Sequence, residues 1–210
     1  MLRPRHKTAS GTPAGDPACR AAAPVSTAGG RSRYDPVAIF LHWTTVILVL
    51  VQMALAQLWG LSGRPTRHLM VVAHMSFGII LTGLIVVRLI WRLIPSHRVR
   101  SLDTGWVRFA SSGVHALLYV MLAAQAVLGF LLRWSGGEAM SFFGLSIPPP
   151  FAAWSRGANR EVGDLHEWNG WAIILVATGH AAAALYHQYV LRDGGLSRML
   201  PRGRERPLRR

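Results

Sequence analysis

Four stretches of the chain stay apolar for long enough to cross a bilayer, which takes about 20 residues in a helix. They run roughly from Val37 to Trp59, Leu69 to Ile94, Trp106 to Leu132 and Asp164 to Leu191. Asp35-Pro36 opens the first, with Asp as N-cap and Pro in the first turn. Gly60 to Arg67 forms a short connection, with Gly63 and Pro65 as breakers. Pro95 stops the second span, and a polar, basic loop over residues 96–105 follows. The longest connection is Arg133 to Gly163, where Pro148-Pro149-Pro150 bars a continuous helix. Its aromatic residues, Trp134, Phe142, Phe143, Phe151 and Trp154, suit the membrane interface, so this loop is expected to lie on the membrane surface. The pattern predicts an all-α, integral membrane four-helix bundle over residues 34–200. Before it, residues 1–33 are rich in Ala, Pro, Gly, Ser and Arg, lack apolar periodicity and predict a disordered basic tail. Residues 201–210 form a second basic tail.

Charge changes this picture only by orienting it. The formal net charge of +14 in 210 residues would suggest nucleic acid in a soluble protein. Here it is a topology signal instead. Of the 23 lysines and arginines, only Arg64, Arg67, Arg133, Arg156 and Arg160 fall in the first and third connections. The positive-inside rule therefore places both termini and the second connection in the cytoplasm. No apolar h-region precedes the first span, so the leader does not read as a secretory signal peptide. The single cysteine, Cys19, has no internal partner, and the absence of C-x-x-C-H excludes covalent c-type haem.

Candidate chemistry comes from histidines inside the spans, where ionisable groups are costly and point to function. His166 and His180 are fourteen residues apart. On a helix at ~100° per residue this returns to within about 40° of the same face and advances about 21 Å. One helix thus offers two imidazoles, one shallow and one deep, and each needs a second ligand from another helix to hold a metal. Topology pairs His74 with His166 near the outer ends of their helices. It pairs His42, about 9 Å in from the inner end, with His180 at about 16 Å, and depth alone leaves His115 and His187 open as inner rivals. Gly78 and Gly170 each follow an outer histidine by four residues, and Ala184 follows His180 by four. Small residues there leave room for a flat macrocycle, although they equally serve close helix packing. A tetrahedral zinc site lacks the Cys and carboxylate ligands it would need, and a proton-relay transporter lacks an intramembrane Asp or Glu. Arg88 shares the face of His74 at inner depth, either to pair with a haem propionate or to snorkel, as Arg92 is expected to do. Tyr34, Trp43, Trp168 and Trp171 are available for cofactor contact or for the aromatic belt.

The segments RYDPVAIFLHW, AHMSFGIILTGLIVVRLIWRL, HALLYVMLAAQAVLGFLL, FGLSIPPP, LHEWNGWAIILVATGHAAAALYHQY and SRMLPR carry a resemblance. In that order, over roughly Arg33 to Arg202, the chain resembles the bacterial cytochrome b561 family. The resemblance implies a four-helix cytochrome of the bacterial inner membrane with two non-covalent b haems. It implies His42 with His180 and His74 with His166 as iron ligands, and no ligand role at the position of His115. It further implies single-electron exchange with the quinone pool, with ubiquinone as acceptor or donor. At least one member type oxidises superoxide at the outer face. Related cytochrome subunits instead serve a partner hydrogenase or formate dehydrogenase. Arg64, Arg67, His68, Arg156 and Arg160 are placed to give the outer face a positive field for a small anion. The long leader before Arg33 departs from the family pattern.

Overall fold

The computed structural model describes residues 35–94, 105–192 and 196 of the chain. The leader, most of the polar loop after Pro95, and the arginine-rich tail lie outside the described residues. Helix α1 covers Pro36–Leu58 and passes through a 3-10 turn, Trp59–Leu61, into α2, Arg64–Leu93. Helix α3 covers Gly105–Ser135. Two short strands follow, β1 at Met140–Phe142 and β2 at Leu145–Ile147, and then α4 at Arg156–Tyr186, which continues as a π-helical turn, His187–Leu191.

Among the described residues, four helices are long and apolar enough to cross a membrane. Their packing is that of a bundle in lipid rather than in water. Large apolar side chains such as Ile47, Leu50, Val120, Val127 and Leu175 are more than half exposed on the outside of the bundle. A water-soluble protein does not leave such continuous apolar faces open. The buried positions form a thin interior layer that includes Leu41, Thr45, Met75, Ser76, Leu81, Ile85 and Ile173.

The predicted start of α1 holds. Asp35 Oδ1 accepts the Val37 N–H at 3.1 Å, and Pro36 occupies the first turn, where its missing N–H costs nothing. Asp35 Oδ2 also accepts the Trp91 indole N–H at 3.1 Å, so one carboxylate caps α1 and ties it to the end of α2. Two other starts fall earlier than expected. Helix α2 begins at Arg64 with Pro65 in its first turn, where proline is tolerated. Helix α4 begins at Arg156, capped by Ser155 Oγ, which accepts the Ala158 N–H at 3.2 Å. Both helices thus extend past their apolar segments by N-terminal turns that carry arginines.

The long third connection, where a continuous helix was not expected, holds a helix stop and a two-stranded hairpin. Helix α3 ends on paired hydrogen bonds, Gly137 N–H to Trp134 O at 2.9 Å and Glu138 N–H to Arg133 O at 3.1 Å. Gly137 stands at φ 77°, the left-handed position of this helix stop, which glycine takes without a Cβ penalty. Arg133 pairs with Glu138 and donates through Nε to Ala139 O at 3.1 Å, which fixes the exit of the chain. The strands then form an antiparallel hairpin with Met140 opposite Ile147 and Phe142 opposite Leu145. Its two turn residues, Phe143 and Gly144, both have positive φ, 47° and 92°, as a two-residue primed turn requires. The hairpin packs on α2 and α3: Met140 is buried, and the Phe77 and Phe143 rings are 6.0 Å apart.

Candidate functional site

Packing is more extensive within the pairs α1–α2 and α3–α4 than between α2 and α3, so the bundle consists of two helical hairpins. The outer histidines come one from each. His74 on α2 and His166 on α4 face each other with ring centroids 6.4 Å apart and planes at 76°. The Nδ1 atoms of both rings are buried and lack a hydrogen-bond partner. The His166 ring lies over Gly129 of α3: a Cβ built there would stand 3.2 Å from its Cε1. The Trp59 ring closes the other side, 5.2 Å from the His74 ring and tilted at 67°.

Each outer histidine is also gripped through its backbone. Gln52 on α1 donates through Nε2 to His74 O at 3.0 Å. Gln125 on α3 donates through Nε2 to His166 O at 3.0 Å, and the same nitrogen is 3.3 Å from the His166 ring Nε2. Asn169 Nδ2 donates to Gln125 Oε1 at 2.7 Å and to Met121 O at 2.9 Å. The glycines four residues after the histidines lie at these contacts. A Cβ on Gly78 would stand 3.0 Å from Gln52 Nε2, and one on Gly170 3.3 Å from Gln125 Nε2.

At inner depth, His42 Nδ1 lies 2.8 Å from an Arg88 guanidinium nitrogen. Arg88 and Arg92 both stack on the Tyr119 ring, at 5.4 and 5.6 Å from its centroid. His180 rests against His115, with ring centroids 4.9 Å apart, and His115 Nδ1–H donates to Ser111 O at 2.8 Å. These contacts join His42 to Arg88 of α2, and His180 to His115 of α3. His187 lies half-buried at the start of the π-helical turn, and Ala184 is half-buried one turn after His180. Trp43, Trp168 and Trp171 are exposed on the outer surface of the bundle, as belt residues are, while Tyr34 lies outside the described residues. Sequence reasoning did not single out Trp59, Gln125, Gly129, Asn169 or Tyr119. Gln125 and Gly129 carry a signal in retrospect, since they lie four apart on one face of an otherwise apolar helix.

Two facing imidazoles with orphan ring nitrogens fit a planar iron macrocycle better than a bare ion. Were haem bound there, His74 and His166 would be the residues to hold its iron, and the group would supply one-electron chemistry. Among the described residues no three His, Cys, Asp or Glu side chains converge to hold a metal ion, so a tetrahedral zinc site has no ligand set there.

Four helices long and apolar enough to cross a membrane, with facing imidazoles across two hairpins, suit an integral membrane cytochrome. The chain matches the family model for prokaryotic cytochrome b561 over residues 33–202 and belongs to that family. It is a membrane electron-transfer protein of the haem b-binding kind. It is 32% identical over 179 residues to cytochrome b561 homolog 1 of Escherichia coli (strain K12), covering 81% of this chain and 98% of that protein. Cytochrome b561 homolog 2 of the same strain is 30% identical, over 80% of this chain and 91% of the relative. The probable superoxide oxidase CybB of Yersinia pestis is 27% identical, over 82% of this chain and 98% of the relative.

Proposed function

We propose that the chain is a di-haem cytochrome of the bacterial inner membrane that carries single electrons from superoxide at the outer face to ubiquinone. His74 and His166 hold the outer haem, and His42 and His180 the inner one. The observation that carries this reading is the outer pair, one histidine from each hairpin, at 6.4 Å with buried Nδ1 atoms that lack a hydrogen-bond partner. Bound haem b supplies at each level a centre that accepts and releases one electron. The chain supplies the rest. Trp59 covers one side of the His74 ring, and Gly129 gives the His166 ring its seat. Arg88 stands beside His42, placed to neutralise a propionate at inner depth. Gly78, Gly170 and Ala184 keep their helix faces low beside the histidines. In the overall balance, two superoxide ions become two dioxygen molecules, and the two electrons with two protons convert ubiquinone to ubiquinol.

The choice of superoxide is supported by the Yersinia pestis relative's name and by charge placement. Helices α2 and α4 both begin at the outer end, where helix N-termini are partly positive. Arg64 and Arg67 are exposed on the first turn of α2, and Arg156 and Arg160 on the first turns of α4. Exposed Glu161, Asp164 and Glu167 on α4 offset much of this charge, so the field is local to the helix starts. The test is stopped-flow mixing of superoxide with the oxidised, detergent-purified protein, with and without ubiquinone. Fast haem reduction, followed by reoxidation only when ubiquinone is added, is expected. Haems that stay oxidised with superoxide, yet are reduced quickly by quinol or a co-purified dehydrogenase, would make the protein an electron-transfer subunit of a partner complex instead.

A further inference from the structure

A helix carbonyl already accepts one intrahelical hydrogen bond, from the N–H four residues on. For His74 and His166 that partner is the amide of Gly78 or Gly170, because each glycine follows its histidine by four. The second lone pair of each carbonyl is taken from outside the helix, by Gln52 and by Gln125. The glycine lets the amide in. With a Cβ, the approach over Gly78 would close to 3.0 Å and that over Gly170 to 3.3 Å, and the glutamine would have to give way. The same device appears in both hairpins, each glutamine reaching from the first helix of its hairpin to the histidine on the second. The two brackets differ in one respect. Gln125 Oε1 is held by Asn169, whereas Gln52 Oε1 is buried without a partner. Gln125 also reaches the His166 ring itself at 3.3 Å.

We propose that Gln52 and Gln125 are positioning residues of the outer haem site, which fix the depth and rotation of His74 and His166, and that the H-x-x-x-G spacing exists to admit them. The proposal rests on the reading of these histidines as iron ligands. The stronger of the two brackets is Gln125–Asn169, because Asn169 holds the amide oxygen of Gln125 while the Gln125 nitrogen grips His166 O. Groups that orient a metal-ligating histidine typically change metal affinity by about 10- to 100-fold when removed.

The test uses full-length, haem-loaded protein with Gln52→Met or Gln125→Met, which keep side-chain length but remove the amide donor. Two quantities are read: the rate at which each haem passes to an excess of a soluble haem-scavenging protein, and the low-spin electron paramagnetic resonance signature of each centre. Gln125→Met is expected to speed loss of one haem about tenfold and to shift the resonance of that centre alone, and Gln52→Met to do the same to a smaller degree. The affected centre must be the one that His166→Leu removes. If both Met variants keep the wild-type loss rate and resonance, or if the other centre responds, the inference is overturned. Where the Met variants do not accumulate as folded protein, Asn169→Leu decides, since it leaves both glutamines in place. It should alter the same centre, and an unchanged loss rate would overturn the inference equally. If His166→Leu itself retains both haems, the ligand assignment fails, and that result is separate from the behaviour of the glutamine variants.

Discussion

Ser76 Oγ accepts the backbone N–H of Phe143 at 2.9 Å, so the tip of the β1–β2 hairpin is tied to α2 two residues beyond His74. Ser76 is fully buried, and its hydroxyl also lies within reach of Val72 O, at 2.8 Å, and Ser141 O, at 3.4 Å. Ser76→Ala leaves the Phe143 amide without this acceptor, at a cost of about 1–3 kcal/mol if it stays buried. The expected outcome is a lower melting temperature and faster proteolysis within the segment 136–155, with both haems retained at first. A variant as protease-resistant as the parent would show that the hairpin is held by its apolar contacts alone.

The ligand assignment predicts which histidines matter. His74→Leu and His166→Leu should each lose the same haem, and His42→Leu and His180→Leu the other. His115→Leu should keep both, even though its ring lies 4.9 Å from that of His180. The haem-to-protein ratio and the reduced-minus-oxidised spectrum of purified protein decide. Loss of a haem in His115→Leu together with its retention in His180→Leu would move the inner ligand to α3.

Capture of a small anion at the outer face should depend on Arg156 and Arg160. Replacing both by Ser is expected to slow haem reduction by superoxide a few-fold at low ionic strength, and less at high salt, where the Debye length shrinks to about 3 Å at 1 M. Stopped-flow traces at several salt concentrations, with an unchanged haem spectrum as control, measure it. Equal slowing at every salt concentration would point to damaged structure rather than to a lost field.

The distribution of basic residues predicts the orientation. A reporter fused after Arg210 should behave as cytoplasmic and one inserted near Pro149 as exported. The reverse pattern would put the His74–His166 pair on the cytoplasmic side and remove the basis for superoxide as its reductant.

The architecture could be read from the chain because membrane spans announce themselves: about 20 apolar residues have few other uses. The helix starts of α2 and α4 could not, because their outer turns, Arg64–His68 and Arg156–Asp164, are polar and fall below any hydropathy threshold. The hairpin was hidden for a different reason. Its strands are three residues each, and the turn is made by Phe143 at positive φ, a residue that rarely signals a primed turn. At the site, the histidines stood out as ionisable groups in apolar runs, and depth alone paired the outer two. Their glutamine partners were not legible. Gln52 and His74 are 22 residues apart and Gln125 and His166 are 41 apart, on different helices, so no local pattern links them. What the sequence did display was the imprint of that contact, a glycine at the fourth position after each histidine.

The division into two hairpins bears on biogenesis. Each hairpin brings only one of the two facing histidines, His74 from one and His166 from the other. An iron bonded to His74 and His166 would act as a clasp across a seam that protein contacts alone close only sparsely. Cofactor supply and completion of the fold then become one event, and chains made when haem is scarce would persist as paired but unlatched halves, open to membrane proteases along the α2–α3 seam.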